Sequence, residues 1–403
     1  MMTPRDALAV AGRAMTAYRR ALAAPERTAR MAVVLGRLLG LAFLICMGTG
    51  LYSHFLQDPL PWMVFPTRPV QLYQWTQGLH ITAGIICFPL ILGKLHVVYP
   101  QLFQTPPVRS FPHVLERASI ALFVASSLVQ ITIGFINTVQ WYQLFPFPFR
   151  QTHYALSFVV IGSLAVHIGV KLPVILRHWR KQPRKPVAAA SGVTGRVHRW
   201  MDGSGTTSRR AFLATVGAGS AVVVLTTAGQ SFAPLQPLNL FAPRDPRVGP
   251  QGLPVNRTAE QAEVVQLAQS AGWTLSVVAG ARRIVLDREA LRELEQRTVD
   301  LPIACVEGWS RMATWTGVRL SDLLDLVEAP TDARIRAVSL ETNSSYGVSE
   351  IGPEFARDEL TLVALELNGE ELDIDHGYPA RIISPGRPGV LQTKWLSRLE
   401  VIA

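Results

Sequence analysis

Hydrophobic and polar positions divide this chain into two regimes. Four stretches, Val33–Ser53, Gly78–Val98, Leu115–Val139 and Tyr154–Leu176, are apolar almost without interruption. Each has the roughly 20 residues a helix needs to cross a bilayer. A fifth, Ala214–Ala228, is uncharged but built from small residues. Beyond a segment rich in proline and glycine, Pro234–Pro254, the runs become short and alternating. That pattern predicts strands at Trp273–Val278, Arg283–Leu286, Ala337–Leu340, Leu362–Leu367, Arg381–Ser384 and Leu399–Ile402, with helices near Glu260–Ala271, Arg288–Gln296 and Leu320–Leu326. The fold class expected is a multidomain membrane protein: an all-α transmembrane bundle of four helices plus a fifth anchor helix, followed by an α+β domain.

Charge gives the spans a direction. The formal net charge is +10, yet residues 239–403 hold 17 Lys/Arg against 24 Asp/Glu, so the basic excess lies in the first 238 residues. Its arginines and lysines lie in loops between apolar spans and not among aromatics on a soluble domain, which argues against nucleic-acid binding. Arg5, Arg13, Arg19, Arg20, Arg27 and Arg30 precede the first span, and Arg177, Arg180, Lys181, Arg184, Lys185, Arg196, Arg199, Arg209 and Arg210 lie between the fourth and fifth. Leu56–Gln77 and Gln140–Thr152 carry only Arg68 and Arg150 as basic residues. The positive-inside rule therefore places the N-terminus and the 177–210 linker in the cytoplasm. Met1–Arg30 is too charged to insert, and no internal repeat is evident.

The fifth span runs outward on this topology, and a second signal agrees. Ser208-Arg209-Arg210-Ala211-Phe212-Leu213 reads as a twin-arginine export signal placed past the middle of the chain. That route carries folded, often cofactor-bearing domains, so the twin-arginine translocase is an expected partner. The alternative makes Arg209 and Arg210 positive-inside flanks of an ordinary membrane helix. The expected segments are 1–32 (cytoplasmic), 33–176 (four-helix domain), 177–210 (basic linker), 211–230 (fifth helix), 231–254 (Pro/Gly linker) and 255–403 (extracytoplasmic domain of a multi-pass cytoplasmic-membrane protein).

Of nine histidines, His80 and His96 bracket the second span and His153 and His167 lie on the fourth. Imidazole is the usual axial ligand of b-type haem, and ionisable residues within a membrane mark function. His153 and His167 are fourteen residues apart, within about 40° of one helical face and about 21 Å of rise, which suits two stacked haems. The sixteen residues between His80 and His96 leave them about 160° apart, a mismatch that a kink at Pro89 would reduce. Without that kink, His96 is an interfacial histidine, and the number of haems b stays open between one and two. The competing reading makes these histidines polar contacts within a bundle. His54 is open as a third outer ligand, a quinol-site base or a propionate partner. Four spans with paired histidines resemble the cytochrome b subunits of bacterial formate dehydrogenases and hydrogenases, a resemblance that implies exchange of electrons with quinol or quinone in the lipid bilayer.

Three cysteines occur: Cys46 and Cys87 inside spans, and Cys305 alone in the C-terminal region. A lone cysteine cannot form a disulfide within that region, and three spread this way cannot hold an iron–sulfur cluster. A buried small hydrophobe is the usual reading of such a residue. Its context is Leu301-Pro302-Ile303-Ala304-Cys305-Val306-Glu307-Gly308-Trp309, followed by Ala313-Thr314-Trp315-Thr316-Gly317-Val318. This resembles the molybdenum-ligating segment of the sulfite oxidase superfamily, nearest to the periplasmic protein-methionine-sulfoxide reductase catalytic subunit in its Val-Glu-x-Trp continuation. Asp375-His376-Gly377-Tyr378-Pro379-Ala380-Arg381, the Gly386–Gly389 turn and Gln392-Thr393-Lys394-Trp395-Leu396 resemble the family's pterin-binding stretches, and Asn256-Arg257 resembles its pterin-contacting loop.

The resemblance implies Cys305 as molybdenum ligand and Asn256, Arg257, His376, Arg381, Lys394 and Trp395 as contacts of molybdopterin, a soft thiolate suiting such a metal. The competing reading pairs His376 and Arg381 with local acids. The function expected is a membrane-bound molybdopterin-dependent oxidoreductase that passes electrons between quinone, haem b and molybdenum to reduce a small-molecule or protein sulfoxide or N-oxide. Two alternatives stay open: a sulfite-type dehydrogenase feeding quinone, and a non-catalytic haem conduit or sensor with a degenerate outer domain.

Overall fold

In a computed structural model of the chain, residues 10, 12–18, 24–103, 106, 108, 110–144, 146–179 and 208–402 are described. Most of the expected basic linker, with Arg180, Lys181, Arg184, Lys185, Arg196, Arg199 and His198, lies outside them, as do Arg5, Arg19 and Arg20.

Every apolar stretch is a helix: α1 (Ala29–Gln57), α2 (Leu72–Val98), α3 (Phe111–Thr138), α4 (Phe149–His178) and α5 (Arg209–Thr227), the last ending in a 3₁₀ turn at Ala228–Gln230. All five are long and apolar enough to cross a membrane. In α1 both faces are apolar, unlike an amphipathic helix of a soluble protein. On α1, Leu35, Leu39, Ala42 and Phe43 share one face and are buried, while Leu38, Leu41 and Leu44 point outward, exposed.

The residues group into two compact units that cut across the expected segments. In the first (1–47, 83–136 and 142–224), the buried face of α1 packs with Cys87, Leu90 and Ile91 of α2, Phe123 of α3 and Val160 and Leu164 of α4. Phe43 meets Phe123 edge to face at 5.7 Å. On α5, Val216 packs against Gly93 of α2, where a Cβ would lie 3.0 Å from its Cγ2.

The second unit joins 48–82 and 137–141 to everything from 225 onward. Its frame is two five-stranded sheets. One has the order β2-β1-β10-β5-β6, from strands β1 (Leu275–Ala279), β2 (Arg282–Leu286), β5 (Arg334–Ser339), β6 (Val348–Ile351) and β10 (Leu396–Ile402). The other runs β3-β4-β7-β8 with β9 also on β7, from β3 (Gln296–Ala304), β4 (Ser310–Arg319), β7 (Leu362–Leu367), β8 (Glu370–Glu371) and β9 (Arg381–Ile383). Among the described residues, only β1 and β10 pair in parallel. Strand β5 alternates strictly between half-buried and buried positions, as a strand with one covered face must. In the central β7, all but Glu366 are buried, so it reads as a continuous apolar run. Leu56 and Tyr73, from the ends of α1 and α2, join the same core as Leu275, Leu320 and Leu399.

The six expected strands are present with shifts of up to three residues at their ends. Strands β3 and β4 were not expected, and they carry the cysteine. Proline at position 302 argues against a strand, but β3 is an edge strand, where the missing N–H breaks no ladder. The expected helix over Glu260–Ala271 shrinks to α6 (Val265–Ala268), because Glu263 takes a left-handed conformation (φ 58°) that interrupts it. Helix α7 (Arg288–Glu293) stops short of Gln296, whose side-chain amide donates to the carbonyls of Leu291, Arg292 and Leu294 and closes the helix end. Helix α8 (Leu320–Asp325) falls where expected.

Candidate functional site

Strands β3 and β4 form a hairpin, and its turn is Cys305-Val306-Glu307-Gly308-Trp309. The Cys305 amide donates to Trp309 O at 2.9 Å and the Gly308 amide to Cys305 O at 3.1 Å. Gly308 supplies the left-handed step (φ 106°) that the turn requires. Further backbone bonds fix the turn. Gln77 Nε2 donates to Val306 O at 2.6 Å, the Ser231 hydroxyl donates to Gly308 O, and Ser310 Oγ donates back to Ser231 O at 3.0 Å.

The Cys305 sulfur is buried and accepts a hydrogen bond from Asn256 Nδ2 at 2.8 Å. The same amide donates to Glu307 Oε2 at 2.9 Å, and Asn256 Oδ1 accepts from Trp309 Nε1 at 3.0 Å. Glu307 is itself buried, and both of its oxygens accept from Gln140 Nε2, at 2.7 and 2.6 Å. Burial, reinforced by the Glu307 carboxylate, pushes the Cys305 thiol well above its ordinary range. The thiol is therefore protonated in the protein alone, and binding a soft metal there releases a proton.

The remaining sequence-selected residues lie in a connected group. Ala259 N donates to Asp375 Oδ1 at 2.7 Å, and Lys394 Nζ donates to Arg257 O and Asp375 O at 2.6 and 2.9 Å. The loop at Asn256-Arg257 is thus stitched to both later stretches. Arg257 pairs through Nε with Glu341. The His376 ring is buried with Nε2 2.8 Å from Pro250 O, and burial lowers it to about 4. Arg381 is buried, donating to His376 O at 2.8 Å and Gln392 O at 3.3 Å, with its guanidinium 5.1 Å from the Trp315 ring centre. The Trp395 indole lies inside a small core with Ala259, Ala262, Val264 and Ala268, its N–H on Ile374 O at 2.7 Å.

An excess of buried positive charge distinguishes this group. Among the described residues, Arg381, Arg387 and Lys394 form no ion pair with a carboxylate, and Arg381 Nε and Arg387 Nη1 are buried without an acceptor. Burial lowers Arg381 to about 9, Arg387 to about 10 and Lys394 to about 7. Buried cations left unpaired are costly, so the donor set fits an anionic ligand such as the phosphate of a pterin. Arg387, Glu307, Trp309 and Gln140 were not singled out as site residues from sequence. Glu307 and Trp309 stood in the quoted Cys-Val-Glu-x-Trp motif, and Arg387 in the Gly386–Gly389 turn. Nothing in the local sequence of Gln140 marks it.

A pH dependence follows for protein without cofactor. Between about 7 and 10.5, Lys394 is neutral when folded and protonated when unfolded, so stability rises with pH across that window and is lost as pH falls toward 7. His376, neutral in the fold down to about 4 against an ordinary 6.5, extends the loss into acid. The urea midpoint of the cofactor-free full chain, followed by tryptophan fluorescence, is expected to fall from pH 9.5 to 7 and again to pH 5. A flat profile from pH 7 to 9.5 would contradict the burial of Lys394.

In the second unit, His80 Nδ1 lies 3.2 Å from the Thr49 hydroxyl, and a Cβ at Gly50 would stand 3.0 Å from the ring, so glycine lets the imidazole lie against α1. In the first unit, His153 packs beside Gly134, its carbonyl accepting from Gln130 Nε2 at 3.0 Å. His167 stacks on Phe123 at 5.7 Å and has a buried Nδ1 without a partner. His96 sits 3.4 Å from Glu26 through Nε2 and stacks on Phe212 at 5.3 Å, contacts that favour the interfacial alternative for this residue.

Residues 261–403 match the family model for the oxidoreductase molybdopterin binding domain. Sulfite oxidase of Arabidopsis thaliana is 35% identical over 105 residues, covering 23% of this chain and 27% of that protein. Human mitochondrial sulfite oxidase is 31% identical over 137 residues, covering 32% and 23% respectively. The NADPH nitrate reductase of Mycosarcoma maydis is 35% identical over 106 residues, covering 22% and 11%. The chain thus spans about a quarter of the length of the sulfite oxidases it matches. Its C-terminal part is a molybdopterin-binding oxidoreductase domain of the sulfite oxidase type.

Proposed function

We propose, from this C-terminal domain and the apolar helices before it, that the chain is a membrane-bound molybdopterin-dependent oxidoreductase which draws electrons from quinol and reduces a neutral S- or N-oxide. Cys305 would ligate molybdenum, and Asn256, Arg257, His376, Arg381 and Lys394, joined by Arg387, would hold the pterin and its phosphate, with Trp395 as the packed support beneath. His80 and His153 would ligate haem b; His167 stays open to a second haem, whereas His96, held by Glu26 and Phe212, is the interfacial histidine. When bound, molybdenum supplies two-electron oxygen-atom transfer. The balance is one S-oxide, two protons and two electrons giving the sulfide and water, while quinol becoming quinone releases the same two protons and two electrons.

The observation that carries the direction is the carboxylate beside the sulfur. Glu307 shares the Asn256 amide with Cys305, and Arg244 reaches the turn through Gln140. A buried carboxylate at this position disfavours anions such as sulfite or nitrate and leaves neutral oxides acceptable. The topology belongs to the same reading: a cytoplasmic N-terminus, export begun at Arg209-Arg210, and the domain outside.

The test uses purified full-length protein. Bound molybdenum and haem, reoxidation of reduced haem by dimethyl sulfoxide, methionine sulfoxide or trimethylamine N-oxide, and protease access to the C-terminal domain in spheroplasts are all expected. Rapid haem reduction by sulfite, with no reoxidation by any oxide, would reverse the arrow and favour the dehydrogenase, in keeping with the sulfite oxidase relatives. Haem without molybdenum would favour the conduit or sensor.

A further inference from the structure

A continuous hydrogen-bonded chain reaches the Cys305 sulfur from segments outside the domain that matches the family. Arg244 Nη2 donates to Gln140 Oε1, and Gln140 Nε2 donates to both oxygens of Glu307. Glu307 Oε2 accepts also from Asn256 Nδ2, which is shared with the Cys305 sulfur. Gln140 follows α3, and Arg244 follows α5 in the Pro/Gly segment. Both belong to the same compact unit as the hairpin turn. Gln140 also holds a left-handed backbone (φ 57°), which costs a non-glycine residue about 1 kcal/mol or more and persists only where surroundings demand it.

We infer that Gln140 and Arg244 are positioning residues for the metal-ligand sulfur, through which the membrane-side segments set its hydrogen bond and so the reduction potential of the metal. The inference rests on the proposed ligation by Cys305. Asn256 Nδ2 has two N–H donors and serves both the sulfur and Glu307 Oε2, so the position of the carboxylate sets the orientation of the amide. Gln140 holds that carboxylate from the other side. Without it the carboxylate and the Asn256 amide shift together, the bond from Asn256 to the sulfur weakens, and the longer bond from the Glu307 amide at 3.5 Å remains. A thiolate with weaker hydrogen bonding gives more electron density to the metal and stabilises its oxidised state. The turn's backbone keeps its bonds from Gln77 and Ser231, so the change is confined to side chains.

The test is Gln140→Leu in the detergent-solubilised full-length protein, with molybdenum content, the Mo(V) electron paramagnetic resonance signal and its redox titration as readouts. The expected result is wild-type molybdenum content, an altered Mo(V) line shape and a lowered Mo(VI)/Mo(V) midpoint. Turnover should fall about ten- to a hundredfold, as for other residues that orient a metal ligand, with KM little changed. Arg244→Met should shift the midpoint in the same direction by less, and Arg244→Lys should restore most of it. A wild-type signal and midpoint in Gln140→Leu would overturn the inference and leave Cys305 as ligand. Loss of molybdenum from that variant alone would overturn it too, assigning Gln140 to retention of the cofactor. Wild-type protein without molybdenum would instead remove the ligation reading on which it rests.

Discussion

Replacing Cys305 with serine is expected to lower turnover at least about a thousandfold, equivalent to about 4 kcal/mol of transition-state stabilisation, while leaving the fold intact. The substitution changes one atom in the turn closed by Trp309 O and Gly308 N, so both backbone bonds survive. Asn256 can donate to a hydroxyl as it does to the sulfur. What is lost is the soft donor a molybdenum centre prefers over oxygen. Turnover assays, circular dichroism and metal analysis of the purified variant check this. Full activity in Cys305→Ser would remove Cys305 from the chemistry, whereas a collapsed fold would show that its packing against Trp309 and Ile303 had been underestimated. Because the thiol is held protonated by burial and by Glu307, cofactor loading should also be favoured by higher pH.

The second large effect is expected at His80. Its replacement by alanine should abolish a haem and its reduced absorption bands, because alanine offers the iron nothing. Thr49, which orients the ring through Nδ1, would remain without its partner. The same loss is expected for His153→Ala. His96→Ala, in contrast, should leave haem content unchanged, since that ring is already engaged by Glu26 and Phe212. Difference spectra of membranes give the answer directly. Full haem content in both His80→Ala and His153→Ala would end the cytochrome reading, and loss of haem in His96→Ala would restore the second haem on α2.

Much of this protein is determined by its sequence alone, for local reasons. Uninterrupted apolar runs leave a chain few options besides helices, so α1 to α5 are legible, with their limits placed within two turns. Alternation over Arg334–Ser339 and the solid apolar run of Leu362–Leu367 likewise report one-sided and two-sided burial without reference to any partner. The Cys-Val-Glu-x-Trp segment and the later His, Arg and Lys point to a cofactor class through their resemblance to the sulfite oxidase superfamily, and residue type adds that a thiolate is a soft ligand.

Tertiary structure decided what depends on residues far apart in the chain. Strand β3 is tolerated despite Pro302 only because it lies at a sheet edge, a fact about neighbours that the segment itself does not contain. Arg381 was expected to contact molybdopterin; two of its nitrogens hold the carbonyls of His376 and Gln392, and Nε is buried without an acceptor. Gln140 lies 167 residues from Glu307, and Gln77 lies 229 from Val306. Neither carries a local signature, because a glutamine becomes part of a site through the acceptor that folding places before it. Residue type fixes what chemistry a side chain can perform. Only packing fixes which partner it performs it on, because burial removes the water that would otherwise satisfy the same polar atoms.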